Sequence, residues 1–347
     1  MKPLHIGLVK MSALGDILQV AFVIRHLKKY QPDIIITWVV EKKFQDLIEA
    51  LDLVDDICPF EGSLLKKSFL LSVQELYCVY KHLKKRPIDY LIDFQGNCKS
   101  GLIDLLCRSK NKVGFDKNAV AEFPNLLATN IQVPVESCSS AIVQYFTLVK
   151  TIFPNIPDMS ICEKKIAFIN PRIMVCFGSN WINKTLSFDQ LERFLDQIHK
   201  RYQPEFFLAV GSEKDLEEAK GIQKLFSKVE ILYKPSWKQW IHSMKTMDFV
   251  VSADSCALHL AGFLDIPSFS YFGPSSARVY KPLGSFHHSF QGECPYKKAW
   301  IKRCPLLRSC KTGACLKMAS SEELFQAFAN FVSAISSQNL DAAPSAR

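Results

Sequence analysis

Short apolar runs alternate with stretches of helical periodicity along most of this chain, in two successive series. The first series has apolar runs at 4–9, 34–40 and 89–94, with a shorter one at 111–115. After the first run, Leu14, Ile17, Leu18, Ala21, Phe22 and Val23 trace one helical face. The second series restarts at 173–178 and continues through 206–211, 231–233, 249–252 and 267–272. Helical stretches near 187–202, around Asp215, Glu217 and Glu218, at 237–247 and at 256–264 separate those runs. Runs that are apolar throughout, rather than alternately polar, predict strands buried on both faces, hence parallel sheets covered by the intervening helices. A chain of 347 residues exceeds what one core usually supports. The weakly patterned Phe153-Pro154-Asn155-Ile156-Pro157 marks a linker. The reading is therefore α/β, with one domain over 1–160, a second over 161–335, and a small-residue polar tail at 336–347 that is expected to be disordered. Two such domains in tandem are expected to face each other across a cleft at the carboxyl ends of their strands, where open parallel sheets bind ligands.

The charge balance is +9, which suits an anionic partner: a phosphorylated substrate, an anionic membrane surface or nucleic acid. The densest basic cluster, Lys84-Lys85-Arg86 with Lys81 before it, reads as a solvated helix end. No basic tail and no arginine-rich or aromatic platform is present, so no nucleic-acid partner is expected. Twelve cysteines are scattered, several within apolar patterns (Cys107, Cys176, Cys256), as reduced thiols of a cytosolic protein are. Lys10 and Asp16 interrupt any signal-peptide core, and no long uncharged apolar run suggests a membrane span. A cytoplasmic location is expected. Cys294, Cys304, Cys310 and Cys315 do not form paired short knuckles, so reduced thiols or a compartment-dependent disulfide are expected there rather than a metal.

Four turns at predicted strand ends carry the candidate chemistry. In the first, Ile6 to Val9 runs into Lys10-Met11-Ser12-Ala13-Leu14-Gly15-Asp16, placing a carboxylate in the first turn of a helix. That residue is either an ordinary helix-start acid or a base facing a cleft. In the second, a strand ends at Ala253, and Asp254-Ser255 are expected to cap a helix of small residues, Cys256-Ala257-Leu258-His259-Leu260-Ala261-Gly262. Plain capping explains the acid and the serine but not the run of small residues, which would let a phosphate approach the backbone N–H groups. His259, one helical turn on, would face the ligand or simply pack. Gly273-Pro274-Ser275-Ser276 is a similar loop after the next strand. In the third, Gly178-Ser179-Asn180-Trp181-Ile182-Asn183-Lys184 offers a lysine able to neutralise a diphosphate without a metal, or an ordinary loop lysine. In the fourth, Asp93-Phe94-Gln95-Gly96-Asn97-Cys98-Lys99-Ser100 presents Gln95 and Lys99 to an acidic acceptor, with Asp93 structural.

Together, Leu8-Val9-Lys10-Met11-Ser12-Ala13-Leu14-Gly15-Asp16-Ile17-Leu18, Asp93-x-Gln95-Gly96-x-x-Lys99-Ser100, Ser252-x-Asp254-Ser255-x-x-x-His259-Leu260-Ala261 and Phe272-Gly273-Pro274-Ser275 resemble the ADP-heptose:lipopolysaccharide heptosyltransferases, glycosyltransferase family nine. Trp38-Val39-Val40-Glu41 brings the likeness closest to the heptosyltransferase I type. The resemblance implies a GT-B fold of two Rossmann-like domains. It implies inverting transfer of heptose from ADP-heptose to a Kdo-containing lipid A acceptor, with no required metal or other cofactor. On that likeness Asp16 is the general base. Lys184, Ser179, Asp254, Ser255, Cys256, His259 and Gly273 serve the donor, and Lys10, Ser12, Gln95 and Lys99 serve the acceptor. An enzyme of this kind works on an anionic glycolipid at the inner face of the inner membrane. The likeness departs at Cys256, where glycine is usual, at Gln19 and Ala121, and around 141–145, where the family's histidine and arginine are absent. Two alternatives remain open at this point: the same fold with another nucleotide sugar or acceptor, and a non-catalytic sugar-nucleotide-binding relative.

Overall fold

The structure is a computed structural model that describes residues 3–64, 68–136, 138–159, 166–298 and 300–336. The chain divides into two compact units, Met1–Met159 and Ser160–Arg347. The N-terminal unit contains β1 (His5–Val9), α1 (Leu14–Tyr30), β2 (Ile35–Glu41), α2 (Gln45–Leu51), β3 (Asp56–Phe60), α3 (Phe69–Leu83), β4 (Tyr90–Asp93), α4 (Cys98–Leu106), β5 (Asn111–Phe115), a 3-10 turn (Phe123–Leu127), β6 (Ile131–Val133) and α5 (Ala141–Ile152). The C-terminal unit contains β7 (Arg172–Cys176), a 3-10 turn (Ile182–Lys184), α6 (Phe188–Tyr202), β8 (Glu205–Val210), α7 (Glu213–Gln223), β9 (Val229–Tyr233) and α8 (Trp237–Lys245). It continues with β10 (Phe249–Ala253), α9 (Cys256–Phe263), β11 (Ser268–Phe272), α10 (Ala277–Tyr280), β12 (His287–Gln291), α11 (Ala314–Lys317) and α12 (Ser321–Ile335).

Each unit carries a six-stranded sheet, in the orders β3-β2-β1-β4-β5-β6 and β12-β11-β10-β7-β8-β9. Renumbered within its unit, the second order is the same as the first. All pairings are parallel. This is the doubly wound Rossmann order, whose switch point falls between the first and fourth strands. In these units that means β1 beside β4 and β7 beside β10, so the turns after those strands sit where such sheets bind ligands.

Burial explains why these runs became strands. Every residue of β1, β10 and β11 is buried, as a strand covered on both faces requires. In the C-terminal unit α6 turns Leu191, Phe194, Leu195, Ile198 and Tyr202 inward at helical spacing. Phe328 of α12 meets Phe249 and Phe269 edge-on at 5.6 and 5.5 Å between ring centroids, a favoured geometry for ring pairs. The smaller N-terminal cluster packs Val9, Val39, Phe60, Leu91 and Ile103 beneath Val79 and Leu83 of α3.

The structure adds three strands that the sequence reading did not contain: β3, β6 and β12. All three lie at sheet edges. Of the expected tail, Ser336 is ordered, bridging Ile166, and 337–347 lie outside the described residues.

Candidate active site

The turn between β1 and α1 is built from the inside outward. Lys10 is 4% exposed. Its ammonium donates to the Phe94 carbonyl at 3.0 Å and the Tyr145 hydroxyl at 3.3 Å, and lies 5.1 Å from the centre of the Tyr145 ring. A buried ammonium needs such partners. Asp16 Oδ2 is 4.0 Å from that ammonium and accepts the Ala13 N–H at 3.3 Å. The Asp16 side chain is 23% exposed. Among the described residues both contacts fall on Oδ2, so Oδ1 is the oxygen available to an incoming hydroxyl. Asp16 is thus a first-turn carboxylate held by a helix-start amide and a buried cation. Lys10, expected to line the acceptor side, is instead buried beneath the turn, where its charge meets a carbonyl, a hydroxyl and, at 4.0 Å, the Asp16 carboxylate.

Gln95, expected to serve the acceptor, holds the neighbouring turn. Its Oε1 accepts the N–H groups of Met11 and Ser12, each at 3.2 Å, so the turn after β4 clamps the turn after β1. Beneath it, Asp93 accepts from the Gln95 and Gly96 amides at 2.7 and 3.0 Å, and from Ser100 Oγ and Asn125 Nδ2 at 2.7 Å each. Gly96 takes φ = 68°, which suits a glycine, to let the chain turn over this carboxylate. Asp104 is fully buried, and its oxygens have no hydrogen-bond partner among the described residues. Burial, and then the neighbouring Asp93 carboxylate, pushes the Asp104 carboxyl well above the ordinary carboxylate range. Ser12 and Lys99 are half-exposed at the rim. The Lys99 ammonium lies against Gly62, beside Glu41.

In the C-terminal unit the turns after β7, β10 and β11 converge. Lys184 Nζ stands 2.6 Å from Asp254 Oδ2, with the two side chains 14% and 7% exposed. Ser275 Oγ donates to the same carboxylate oxygen. Gln291 of β12 accepts the Ala277 N–H at 2.9 Å and donates to the Gly273 carbonyl at 3.0 Å, fixing the Gly273–Ser276 loop. Ser255 occupies the N-cap position of α9, but its side chain caps nothing. It lies 3.3 Å from Ser252 Oγ instead, and Asp254 is spent on Lys184. The expected Asp254-Ser255 cap is therefore absent, and the backbone N–H groups that open α9 receive no side-chain cap. Cys256, at the start of that helix, is half-buried, and burial pushes its thiol up to about 11. His259 is buried within α9.

Gly273, expected to meet the donor, is buried at a close approach of two loops. A β-carbon there would come within 3.0 Å of Cys315 Sγ and 3.1 Å of the Asn183 carbonyl, so glycine lets the β11–α10 loop approach the lysine turn. Ser179 is half-exposed and accepts the Trp181 N–H at 3.3 Å. It opens into a pocket shared with Ser187, Ser212, Lys214 and Asp215. Cys294, Cys304, Cys310 and Cys315 line one cavity behind Asn183 and Gly273. There a hydrogen bond with Thr312 draws the Cys310 thiol down, while burial raises that of Cys315. All cysteines among the described residues are free thiols, and no group there of three or more histidine, cysteine or acidic side chains could hold a metal ion.

The residues the sequence reading left out of the site are Ser275, Gln291, Tyr145 and Asn125. Ser275 was within reach, being two residues beyond Gly273. The others act from distant segments and carried no local signal.

The profile of glycosyltransferase family 9 (heptosyltransferase) matches residues 77–307. Lipopolysaccharide heptosyltransferase 1 of Campylobacter coli is 28% identical over 305 residues, covering 80% of this chain and 87% of that protein. The lipopolysaccharide core heptosyltransferase OpsX of Haemophilus influenzae is 23% identical over 296 residues, covering 81% and 83%. Among solved structures, the E. coli heptosyltransferase WaaC with ADP superposes with a TM-score of 0.77 at 19% identity, covering 94% of this chain and 100% of that one. A family 9 glycosyltransferase from Veillonella parvula gives 0.70 at 16%, covering 96% and 98%. At such identities the structural likeness is one of fold, and that fold is GT-B.

Proposed function

Because this chain belongs to glycosyltransferase family 9, the heptosyltransferases, we propose that it moves heptose from ADP-heptose to a Kdo-bearing lipid A acceptor, with inversion, in assembly of the lipopolysaccharide core. The relatives it matches are named lipopolysaccharide heptosyltransferases. Two structures it resembles are of WaaC with ADP and with ADP-2-deoxy-2-fluoro heptose. The observation that carries the reading is Asp16: a partly exposed carboxylate at a strand end, held on one oxygen by the Ala13 amide and beside a buried lysine.

The acceptor hydroxyl attacks the anomeric carbon from the face opposite the diphosphate. Asp16 takes its proton as the new carbon–oxygen bond forms and the bond to ADP breaks. ADP departs with that bond's electron pair. Charge growing on its phosphates is met by the Lys184 ammonium and by the backbone N–H groups that open α9. Lys184 does the work a divalent cation does elsewhere, so no metal or other cofactor is required. Asp254, relieved of part of its pairing with Lys184 when the diphosphate arrives, accepts from hydroxyls of the sugar. No helix among the described residues is long and apolar enough to cross a membrane, and the acceptor is met at the inner face of the inner membrane.

The test is transfer by the purified protein, read by mass spectrometry of the glycolipid, with ADP-heptose set against UDP- and GDP-hexoses. A mass gain of one heptose with ADP-heptose alone, undiminished by chelator, is expected. Transfer from another nucleotide sugar in preference, or none with any acceptor, would overturn the assignment.

A further inference from the structure

Helix α3 packs on β3 and α4 with one face and leaves much of the other exposed. Only Val79 and Leu83 are buried. Phe69, Leu70, Val73 and Tyr77 are 81%, 77%, 49% and 62% exposed. Leu70, Val73 and Tyr77 follow one another at three- and four-residue steps, so they form one stripe along the helix. The stripe continues with Lys81 and Lys84, both exposed, and ends beside exposed Lys85 and Arg86. Its neighbours repeat the pattern. Helix α4 leaves Leu102 and Leu105 44% and 61% exposed, and the 3-10 turn packed against α4 leaves Phe123 and Leu127 at 69% and 87%. Arg108, just past α4, is exposed and donates to the Tyr80 hydroxyl of α3 at 2.8 Å.

The acidic side chains of these elements are buried or already engaged. Glu75 of α3 is half-buried and accepts the Glu61 N–H at 2.6 Å. Asp104 of α4 is fully buried. Exposed Glu122 accepts the Cys98 N–H at the start of α4 at 2.8 Å.

We propose that the outer face of α3, with the exposed apolar residues of α4 and the adjoining 3-10 turn, docks this protein onto an anionic lipid bilayer. Apolar side chains on a helix that ends in lysines are what an interfacial helix presents: the rings and leucines enter the acyl boundary and the ammonium groups meet lipid phosphates. Singly exposed leucines need no explanation, but an exposed stripe of three large apolar residues with Phe69 beside it does. Topology gives the contact a use. Helix α3 follows β3 in a parallel sheet, so Phe69 and Leu70 lie at the carboxyl edge of that sheet, the same edge as the Asp16 turn. The helix therefore sets its apolar end at the edge from which a lipid-anchored acceptor would be drawn, and its basic end further along the membrane. This consequence rests on the glycolipid reading above; the docking itself does not.

Vesicle flotation of the full chain tests it, with neither donor nor acceptor present. Binding to phosphatidylglycerol-containing vesicles is expected, with much weaker binding to pure phosphatidylcholine and release by high salt. The variant Phe69→Ser/Leu70→Ser/Tyr77→Ser should lose binding to anionic vesicles by about tenfold or more, since most of the inserted apolar area is gone. Lys81→Gln/Lys84→Gln/Lys85→Gln should keep residual binding but lose its salt dependence. Thermal melts of both should match the parent, because every substituted side chain is exposed. Equal flotation of parent and serine variant, or no flotation of the parent, overturns the proposal. So does a concentration-dependent dimer that the serine variant abolishes without any vesicle binding, which would give this face to a second copy. Transfer to a deacylated, water-soluble acceptor should be unchanged in the serine variant while transfer to vesicle-borne acceptor falls. A protein that floats but transfers nothing would sink the enzymatic reading and leave the surface standing.

Discussion

The turns after β1 and after β7 occupy the same place in two sheets of identical strand order, yet they are built in opposite ways. The first is short and closed. Its lysine is buried, two of its amides are clamped by Gln95, and its carboxylate leans on the lysine and on the Ala13 amide. The second is long and open, and its lysine is held from outside by Asp254 on another strand's turn, with Ser275 sharing the same oxygen. In the proposed reaction the base must be fixed to within a fraction of an ångström beforehand, and Asp16 is tied to backbone. In the same proposal the phosphate-binding lysine must exchange one anion for another, and Lys184 is tied to a carboxylate that can let it go. One topology supports both roles because the sheet supplies only the location, while the loops supply the chemistry.

The contrast can be broken at four points. The largest effect is expected from Asp16→Asn, which should lower kcat roughly 10²–10⁴-fold while leaving ADP binding by calorimetry unchanged; near-normal turnover would remove Asp16 from the base role. Next is the open turn. Lys184→Ala leaves the mostly buried Asp254 uncompensated and should cost about 3–5 kcal/mol in urea unfolding, along with donor affinity. Adding Asp254→Ala should recover most of the stability and none of the affinity, and a double-mutant cycle showing no coupling would mean the pair is not an ion pair in solution. Third, Gln95→Ala removes two hydrogen bonds from the closed turn and should cost about 1–3 kcal/mol. Its signature is a fall in kcat with donor affinity intact; a change in affinity alone would contradict the clamp.

The smallest effect concerns what lies beneath that clamp. Burial holds the Asp104 carboxyl protonated in the folded chain at pH values where the unfolded chain ionises it. The folded state then binds the extra proton, so this residue's contribution to stability is complete below the ordinary carboxylate range and declines as pH rises through the raised value. Asp104→Asn keeps the shape and removes the proton. It should flatten the loss of stability between mildly acidic and alkaline pH and gain about 1 kcal/mol at the alkaline end. Parallel pH–stability curves for parent and variant would contradict this.

Nine of the twelve strands were legible as apolar runs, and the three that were not share a cause. β3 contains Pro59, β6 has three residues and β12 reads His-His-Ser-Phe-Gln. Each is an edge strand. An edge strand has one neighbour and partial cover, so it tolerates a proline or a polar run that a central strand would not. The site divides in a similar way. Asp16, Lys184 and Asp254 stand out in the sequence as charges in turns that follow apolar strands, and the resemblance gave them their expected roles. The inward task of Lys10, the clamp of Gln95, the packing role of Gly273 and the missing cap at Ser255 could not be read. Lys10 depends on Tyr145 of α5, 135 residues on, Gln95 on amides 83 and 84 residues before it, and Gly273 on Asn183 and Cys315, while the missing cap follows from the pairing of Asp254 with Lys184, 70 residues away.

The order of residues alone decided that there would be two parallel-sheet domains, where their ligand-facing turns would fall and which charges those turns would carry. Solvent exclusion acts on every apolar run wherever it ends up, so that pattern survives without coordinates. Which side chain each charge would meet was decided only in three dimensions. A hydrogen bond or ion pair is made over about 3 Å between groups whose separation along the chain says nothing about their separation in space.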